Sequence, residues 1–167
     1  LGIDQAHANR YNGQGVSYAV IDSGTLCEDG LNEDGTPKLS QHKGLNFKEY
    51  NTIENSSPYI NHFHGLATSY IAQEMAPSAD CYYYADSSGD ALVEHLQAII
   101  DKNKTLPDNQ KIRVVSMSFS LEGDREKALP LVKELEAQGV WVFSSKEQFW
   151  DKGFGYMEKK NPNGDVD

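Results

Sequence analysis

The stretch SYAVIDSG, residues 17–24, predicts a buried β-strand that ends at an acidic residue and then a small turn. A continuous apolar run of this kind is typical of a strand covered on both faces, as in a parallel sheet. Asp22 then falls at the carboxyl end of the strand, where functional groups gather in open parallel sheets. Aspartate at such a position also caps turns through its side chain, so position alone leaves a structural and a functional interpretation open.

Strands and helices alternate along the chain outward from this strand. Further strands are predicted at residues 81–85, 112–119 and 140–143. Helices are predicted at residues 64–75, 90–102 and 126–138, the last with Pro130 near its first turn or at a kink. Residues 25–60 are loop-rich, with one short strand expected at residues 45–47. The alternation predicts an α/β fold in which a parallel sheet carries helices on both faces, with residues 1–167 as a single domain.

The charge of the chain argues against several classes of partner. Its 15 Lys and Arg residues and 25 Asp and Glu residues give a net charge of −10. Such a surface repels phosphate backbones and anionic lipids, so we expect no nucleic-acid partner and no membrane partner. The sequence also has no apolar run long enough to predict a membrane-spanning helix.

The second candidate stretch is HFHGLATSYIA, residues 62–72. His64 directly precedes a glycine at the predicted start of a helix, where an imidazole can point out of the fold. A surface or helix-capping histidine is one alternative interpretation. A metal pair with His62 is another, because both histidines would lie on one side of an extended segment, although a clear third and fourth ligand are lacking.

Together the two stretches resemble the subtilase family, the subtilisin-like serine peptidases. YAVIDSG is similar to the family's V-A-V-I-D-[ST]-G, and HGLATSYIA is similar to its H-G-T-H-V-A-G-x-I-A. Three later stretches, MAPSADCYYYAD, VVSMSFS and EAQGVWVFSS, resemble family motifs in the family's order. The resemblance covers most of residues 3–148 and implies a subtilisin-like three-layer fold. The chain would be the N-terminal portion of the catalytic domain, and therefore truncated.

The resemblance implies a role for each matching residue. Asp22 would be the acid of the catalytic triad, and His64 would be its general base. Ser118, Phe119 and Ser120 would line the main chain of the substrate and the first specificity pocket. The chemistry requires these residue types, because a serine hydroxyl needs a base within hydrogen-bond reach and the base needs an acid to fix its tautomer.

The nucleophile of the triad is the part that the sequence does not supply. The family's G-T-S-[MA]-[AS] element does not occur before Asp167. The family's oxyanion Asn would fall at about Glu147 or Gln148, and of these two only Gln148 can donate an amide hydrogen bond. Loss of such a donor costs roughly 10²- to 10³-fold in rate. We therefore predict a chain that supplies the Asp and His of a serine endopeptidase but is not active alone.

Three hypotheses about function stay open at this point. The first is a fragment, or the first chain of a two-chain form, of a serine endopeptidase that acts on peptides or proteins. Its serine would come from a C-terminal portion or a second chain, and the family resemblance favours secretion. The second is a pseudoprotease that binds a peptide or protein by β-augmentation at residues 118–120. The third is a nucleotide-binding domain, which is disfavoured because the glycines at residues 13–15 precede the strand instead of following it.

The remaining polar residues are expected to be structural. The proposed chemistry requires no cofactor and no metal. Structural calcium is conceivable, as subtilases often bind it, but a solvated loop is the simpler interpretation of the acids Glu28, Asp29, Glu33 and Asp34. Cys27 and Cys81 are expected to be free thiols. We also expect the tyrosines at residues 82–84 to alternate between sheet faces, and the surface to hold His7, His42 and His95.

Overall fold

A computed structural model of the chain describes residues 2–53, 58–59, 63–86, 88–119 and 125–145. The helices of this part are α1 (Ile3–Ala8), α2 (His64–Met75), α3 (Gly89–Thr105) and α4 (Arg125–Ala137). Its strands are β1 (Ser17–Asp22), β2 (Leu26–Leu31), β3 (Pro37–Gln41), β4 (Glu49–Asn51), β5 (Asp80–Ala85), β6 (Ile112–Met117) and β7 (Trp141–Ser144). A 3₁₀ turn at Asp108–Gln110 leads into β6.

The main sheet has five strands in the order β4-β5-β1-β6-β7, so β1 lies at its centre. Every pairing in it is parallel, from β4 with β5 to β6 with β7. Strands β2 and β3 form a separate antiparallel pair. The predicted α/β fold with a parallel sheet is therefore confirmed.

Both faces of the sheet carry helices, as the continuous apolar run of β1 predicts. All six residues of β1 are buried. Ala19 and Ile21 point to the face that packs against α3 and α4, and Val20 points to the face that packs against α2. In β5, Tyr82 and Tyr84 lie on the first face and Tyr83 lies on the second, so the expected alternation of the tyrosines is confirmed.

Helices α3 and α4 form the larger core at the first face of the sheet. Their apolar residues recur at helical spacing, so each helix turns one buried stripe toward the strands. The fully buried residues of this stripe include Leu96, Ile99 and Ile100 from α3 and Val132 and Leu135 from α4. Pro130 lies in the second turn of α4, after the first turn in which the backbone N–H groups have no helical partner.

The region before α2 differs from the expectation in two ways. No strand forms at residues 45–47, and the strand that pairs with β5 is β4, which begins two residues later. Leu45 and Phe47 are buried nevertheless, because they pack with Tyr83 at the second face of the sheet. The hairpin of β2 and β3 was not predicted, since all of β3 is exposed and offers no apolar face for a sequence pattern to reveal.

Two further expectations concern individual residues. Cys27 and Cys81 are free thiols, as predicted, and burial raises the pKa of the Cys81 thiol to about 12. The expectation that His95 lies at the surface is wrong, because the residue is 1% exposed on the buried stripe of α3.

No helix in the described ranges is both long and apolar enough to span a membrane.

Candidate active site

Two elements that are distant in sequence bring Asp22 and His64 together. Asp22 is the last residue of β1, and His64 is the first residue of α2. The His64 Nδ1 lies 2.7 Å from the Asp22 Oδ1. Because a carboxylate can only accept, Nδ1 carries the hydrogen and donates it to Asp22. In the neutral ring, Nε2 is then the acceptor nitrogen, which is the arrangement that a general base requires.

The two side chains of this pair differ sharply in burial. The Asp22 side chain is 2% exposed, whereas the His64 side chain is 47% exposed. A buried carboxylate needs hydrogen-bond donors to offset the loss of its hydration. The backbone N–H of Ser23 donates to Oδ1 over 2.7 Å, and the Thr68 hydroxyl lies 3.1 Å from Oδ2. The acid is therefore fixed inside the fold, while part of the imidazole is accessible from solvent.

Gly65 allows the start of α2 to approach β1 this closely. Its backbone N–H donates to the Ser23 Oγ over 3.0 Å. A Cβ at this position would lie 2.3 Å from the Ser23 carbonyl oxygen and 2.6 Å from the Tyr83 Oη. Such distances are far inside van der Waals contact, so any side chain here would push α2 away from the strand. The glycine that follows His64 thus sets the distance between His64 and Asp22.

The hydroxyl of Tyr83 stabilises the turn after β1. Its hydroxyl donates to the Ser23 carbonyl over 2.5 Å. Burial, with a smaller contribution from the nearby Asp22 carboxylate, raises the pKa of Tyr83 well above its usual range. The raised pKa keeps the hydroxyl protonated at neutral pH, so it remains a donor to the Ser23 carbonyl.

The end of β5 contributes a second support for the site. The Asp86 backbone N–H donates to the Asp22 carbonyl over 2.8 Å. Asp86 has a φ of 105°, a conformation that residues other than glycine rarely adopt. Behind it, the His95 Nε2–H donates to the Ala85 carbonyl over 3.0 Å. Burial lowers the pKa of His95, which keeps this ring neutral.

An apolar cavity of about 400 Å³ lies along α2, and its wall includes Thr68 but neither Asp22 nor His64. It runs between α2 and the strands β1, β6 and β7, and the residues that line it include Val16, Thr68, Ile71, Met75, Ser118 and Phe143. Thr68 therefore contacts the Asp22 carboxylate and also forms part of the cavity wall. Because Ser118 lines the same cavity, this cavity connects the stretch at residues 62–72 with the stretch VVSMSFS, residues 114–120.

The predicted substrate-binding residues follow β6. The pairing of β1 with β6 ends at Ile21 and Met117, so Ser118 and Phe119 extend beyond that pairing. The Phe119 carbonyl accepts a hydrogen bond from the Ser145 backbone N–H over 3.4 Å, which keeps this segment beside β7. The side chain of Phe119 packs against the core formed with α3 and α4, so this side chain does not line the cavity.

Several predicted residues lie outside the part of the chain that the structure describes. These residues are Ser120, Glu147, Gln148 and His62. The site residues that the sequence analysis missed are Ser23, Gly65, Thr68, Tyr83 and Asp86. A signal existed for Thr68, because a residue four positions after His64 on a helix lies on the same face. The contacts of the others depend on the packing of separate elements.

Acidic and metal-ligating side chains occur across the described ranges. There, no group of three or more His, Cys, Asp or Glu side chains is placed to hold a metal. In the acidic hairpin, the Asp34 carboxylate accepts hydrogen bonds from the Thr36 backbone N–H and hydroxyl over 3.0 and 2.6 Å. These bonds lower the pKa of Asp34, and they occupy its carboxylate with donors of the same turn.

Comparison of the sequence with protein-family models and with curated proteins finds no match. A function for this chain must therefore be argued from the geometry of the site. The arrangement is a buried carboxylate, a half-exposed imidazole whose Nδ1–H it accepts, and an apolar cavity whose wall includes Thr68. Chemically, such a pair can take a proton from a hydroxyl group and return it to a leaving group.

Proposed function

We propose that this chain supplies the aspartate and histidine of a serine endopeptidase. The observation that carries the proposal is the 2.7 Å hydrogen bond between the His64 Nδ1 and the Asp22 Oδ1. The order of the two residues along the chain and the motifs around them resemble the subtilase pattern. The buried position of the acid and the partial exposure of the base also agree with this role.

In the proposed reaction, His64 accepts at Nε2 the proton of a serine hydroxyl while the serine oxygen attacks the carbonyl carbon of a peptide bond. The imidazolium that forms is stabilised by the Asp22 carboxylate at Nδ1–H. His64 then gives the proton to the leaving amine, and the acyl-enzyme is hydrolysed by water with the same base. The substrate main chain would lie along residues 118–120, as the family resemblance implies.

The serine would come from polypeptide other than the described residues, either a C-terminal portion or a second chain. The open apolar cavity along α2 fits a surface that further polypeptide covers, because an exposed apolar surface of this kind is usually covered. The first test is to read the coding sequence beyond Asp167. A GTSxA element there would support the single-chain form of the proposal, and a stop codon would overturn that form.

The second test uses the polypeptide that carries the serine, labelled with a fluorophosphonate that reacts with activated serine hydroxyls. We expect His64→Ala to abolish labelling and Asp22→Asn to lower peptide hydrolysis about 10⁴-fold, as loss of the correct tautomer does in other triads. Glu74→Ala, at an exposed position of α2 outside the cavity, is the matched control and should retain activity. Unchanged labelling of the His64→Ala variant would refute the proposal.

A second candidate function is peptide binding without hydrolysis. The observation that favours it is the cavity itself, which is apolar and has Ser118 and Thr68 in its wall. This alternative predicts that Asp22→Asn and His64→Ala leave peptide binding intact, whereas Ser118→Trp, which fills the cavity, weakens it. Loss of hydrolysis in the first two variants would instead favour the endopeptidase.

A further inference from the structure

We propose that Thr68 is a positioning residue that holds the Asp22 carboxylate in the orientation that His64 requires. This inference rests on the proposed function of the Asp22–His64 pair. Thr68 lies one helical turn after His64 on α2, and its hydroxyl is 3.1 Å from the Asp22 Oδ2. The helix that carries the base thus also carries a donor to the acid.

The two oxygens of the Asp22 carboxylate are held differently. Oδ1 accepts hydrogen bonds from the His64 Nδ1–H and the Ser23 backbone N–H, each over 2.7 Å. Among the hydrogen bonds between described residues, the bond to Oδ2 comes from Thr68. The torsion that rotates an aspartate carboxylate has broad minima, so contacts at one oxygen leave its plane poorly defined. A donor at Oδ2 fixes that plane and therefore the direction in which Oδ1 faces His64.

The Thr68 hydroxyl has a competing acceptor. The Gly65 carbonyl oxygen is also 3.1 Å away, at the spacing of the ordinary back-bond of a threonine within a helix. The hydroxyl has one proton, so it donates to only one of the two oxygens at a time. A carboxylate is the stronger acceptor, because hydrogen bonds to ionised groups are roughly twice as strong as those between neutral groups. The balance between the two acceptors favours Asp22.

The surroundings of Thr68 strengthen this bond. Thr68 is part-buried, and its other neighbours include the apolar wall of the cavity. Its branched Cβ restricts rotation of the side chain, so the hydroxyl loses little freedom when it binds the carboxylate. Valine has nearly the same shape without the hydroxyl, and serine keeps the hydroxyl without the methyl group. Thr68→Val and Thr68→Ser therefore form a matched pair of variants.

The test is the exchange with water of the His64 Nδ1 proton, measured by NMR on the full chain at one pH. Without the Thr68 donor the plane of the carboxylate is no longer fixed, so the Nδ1–H is held less of the time and its rate of exchange should rise about tenfold. We expect that increase for Thr68→Val and a rate within about twofold of the wild type for Thr68→Ser. If valine disturbs the helix, Thr68→Ala removes the same hydroxyl with a strong helix former.

The outcomes separate this inference from the proposed function. If Thr68 only forms the back-bond to Gly65, Thr68→Val and Thr68→Ala will leave the exchange rate unchanged, and the inference is overturned. Asp22→Asn provides the independent comparison, because it removes the acceptor itself. If the His64 ring signals are the same in Asp22→Asn as in the wild type, the Asp22–His64 pair and the proposed function fail. If Asp22→Asn changes them and the Thr68 variants do not, only the role of Thr68 fails.

Discussion

The two faces of the five-stranded sheet are covered to different extents. On the first face, α3 and α4 bury a continuous layer of aliphatic residues, most of them with no exposed surface. On the second face, α2 covers β1 and β5, and an apolar cavity lies open beside β6 and β7. Asp22 lies at the end of the central strand β1, and His64 comes from the helix of the less covered face.

The comparison teaches that stability and chemistry are divided between the faces. The first face supplies most of the apolar burial on which folding depends. The second face holds a buried carboxylate, a glycine at close approach and a helix with exposed apolar residues such as Ile71 and Met75. These features bring an acid and a base together at the carboxyl edge of the sheet.

The largest expected effect comes from making the same change on both helices. Ile99 on α3 has no exposed surface, whereas Ile71 on α2 is 60% exposed. Ile99→Ala should lower the free energy of unfolding by about 3 kcal/mol, because it leaves a cavity in a packed core. Ile71→Ala should change it by less than about 0.5 kcal/mol. Urea unfolding followed by circular dichroism measures both, and equal losses would contradict the division between the faces.

A smaller effect is expected from exchanging glycine and alanine on α2. By helix propensity alone, Gly65→Ala should stabilise the protein and Ala67→Gly should destabilise it, each by about 1 kcal/mol. The close approach of Gly65 to Ser23 and Tyr83 reverses the first expectation, so Gly65→Ala should cost about 2 kcal/mol. Ala67 is exposed and should follow propensity. Stabilisation by Gly65→Ala in urea unfolding would show that α2 does not need this contact.

The smallest expected effect is a dependence on pH from His95. Burial lowers the pKa of this histidine in the folded state. Below about pH 6.5 the unfolded chain therefore binds a proton that the folded protein does not, and stability falls as the pH falls. Each unit by which the pKa is lowered corresponds to about 1.4 kcal/mol. His95→Gln keeps a donor for the Ala85 carbonyl and cannot titrate, so it should weaken this pH dependence. An identical dependence in the two proteins would be evidence against a buried neutral His95.

The order and type of the main elements could be predicted from the sequence, because their signals are local. The apolar run of β1 and the helical spacing in α3 and α4 are visible in the residues themselves. Helix α2 has the bounds expected from the sequence, His64 to Met75. The exposed hairpin of β2 and β3 has no such signal, and the apolar residues Leu45 and Phe47 are buried without forming a strand.

The site was predictable only in part, for a related reason. Asp22 and His64 lie at the ends of elements, within motifs whose residues can be read directly. The contacts that hold them depend on close packing between distant segments, such as Gly65 against Ser23. The burial of His95 likewise depends on which side of α3 faces the sheet. The apolar spacing from Leu92 to Ile99 places His95 on that side, whereas no pattern of neighbouring residues encodes the contact of Gly65 with Ser23.

The most direct test of the account is the tautomer of the neutral His64 ring, read from the ¹⁵N chemical shifts of its two nitrogens. The account predicts that Nδ1 carries the hydrogen in the wild type, because the Asp22 carboxylate accepts it over 2.7 Å. In Asp22→Asn the side-chain amide can donate to Nδ1, so the hydrogen should move to Nε2. A hydrogen on Nε2 in the wild type, or the same spectrum in both proteins, would contradict the Asp22–His64 pair.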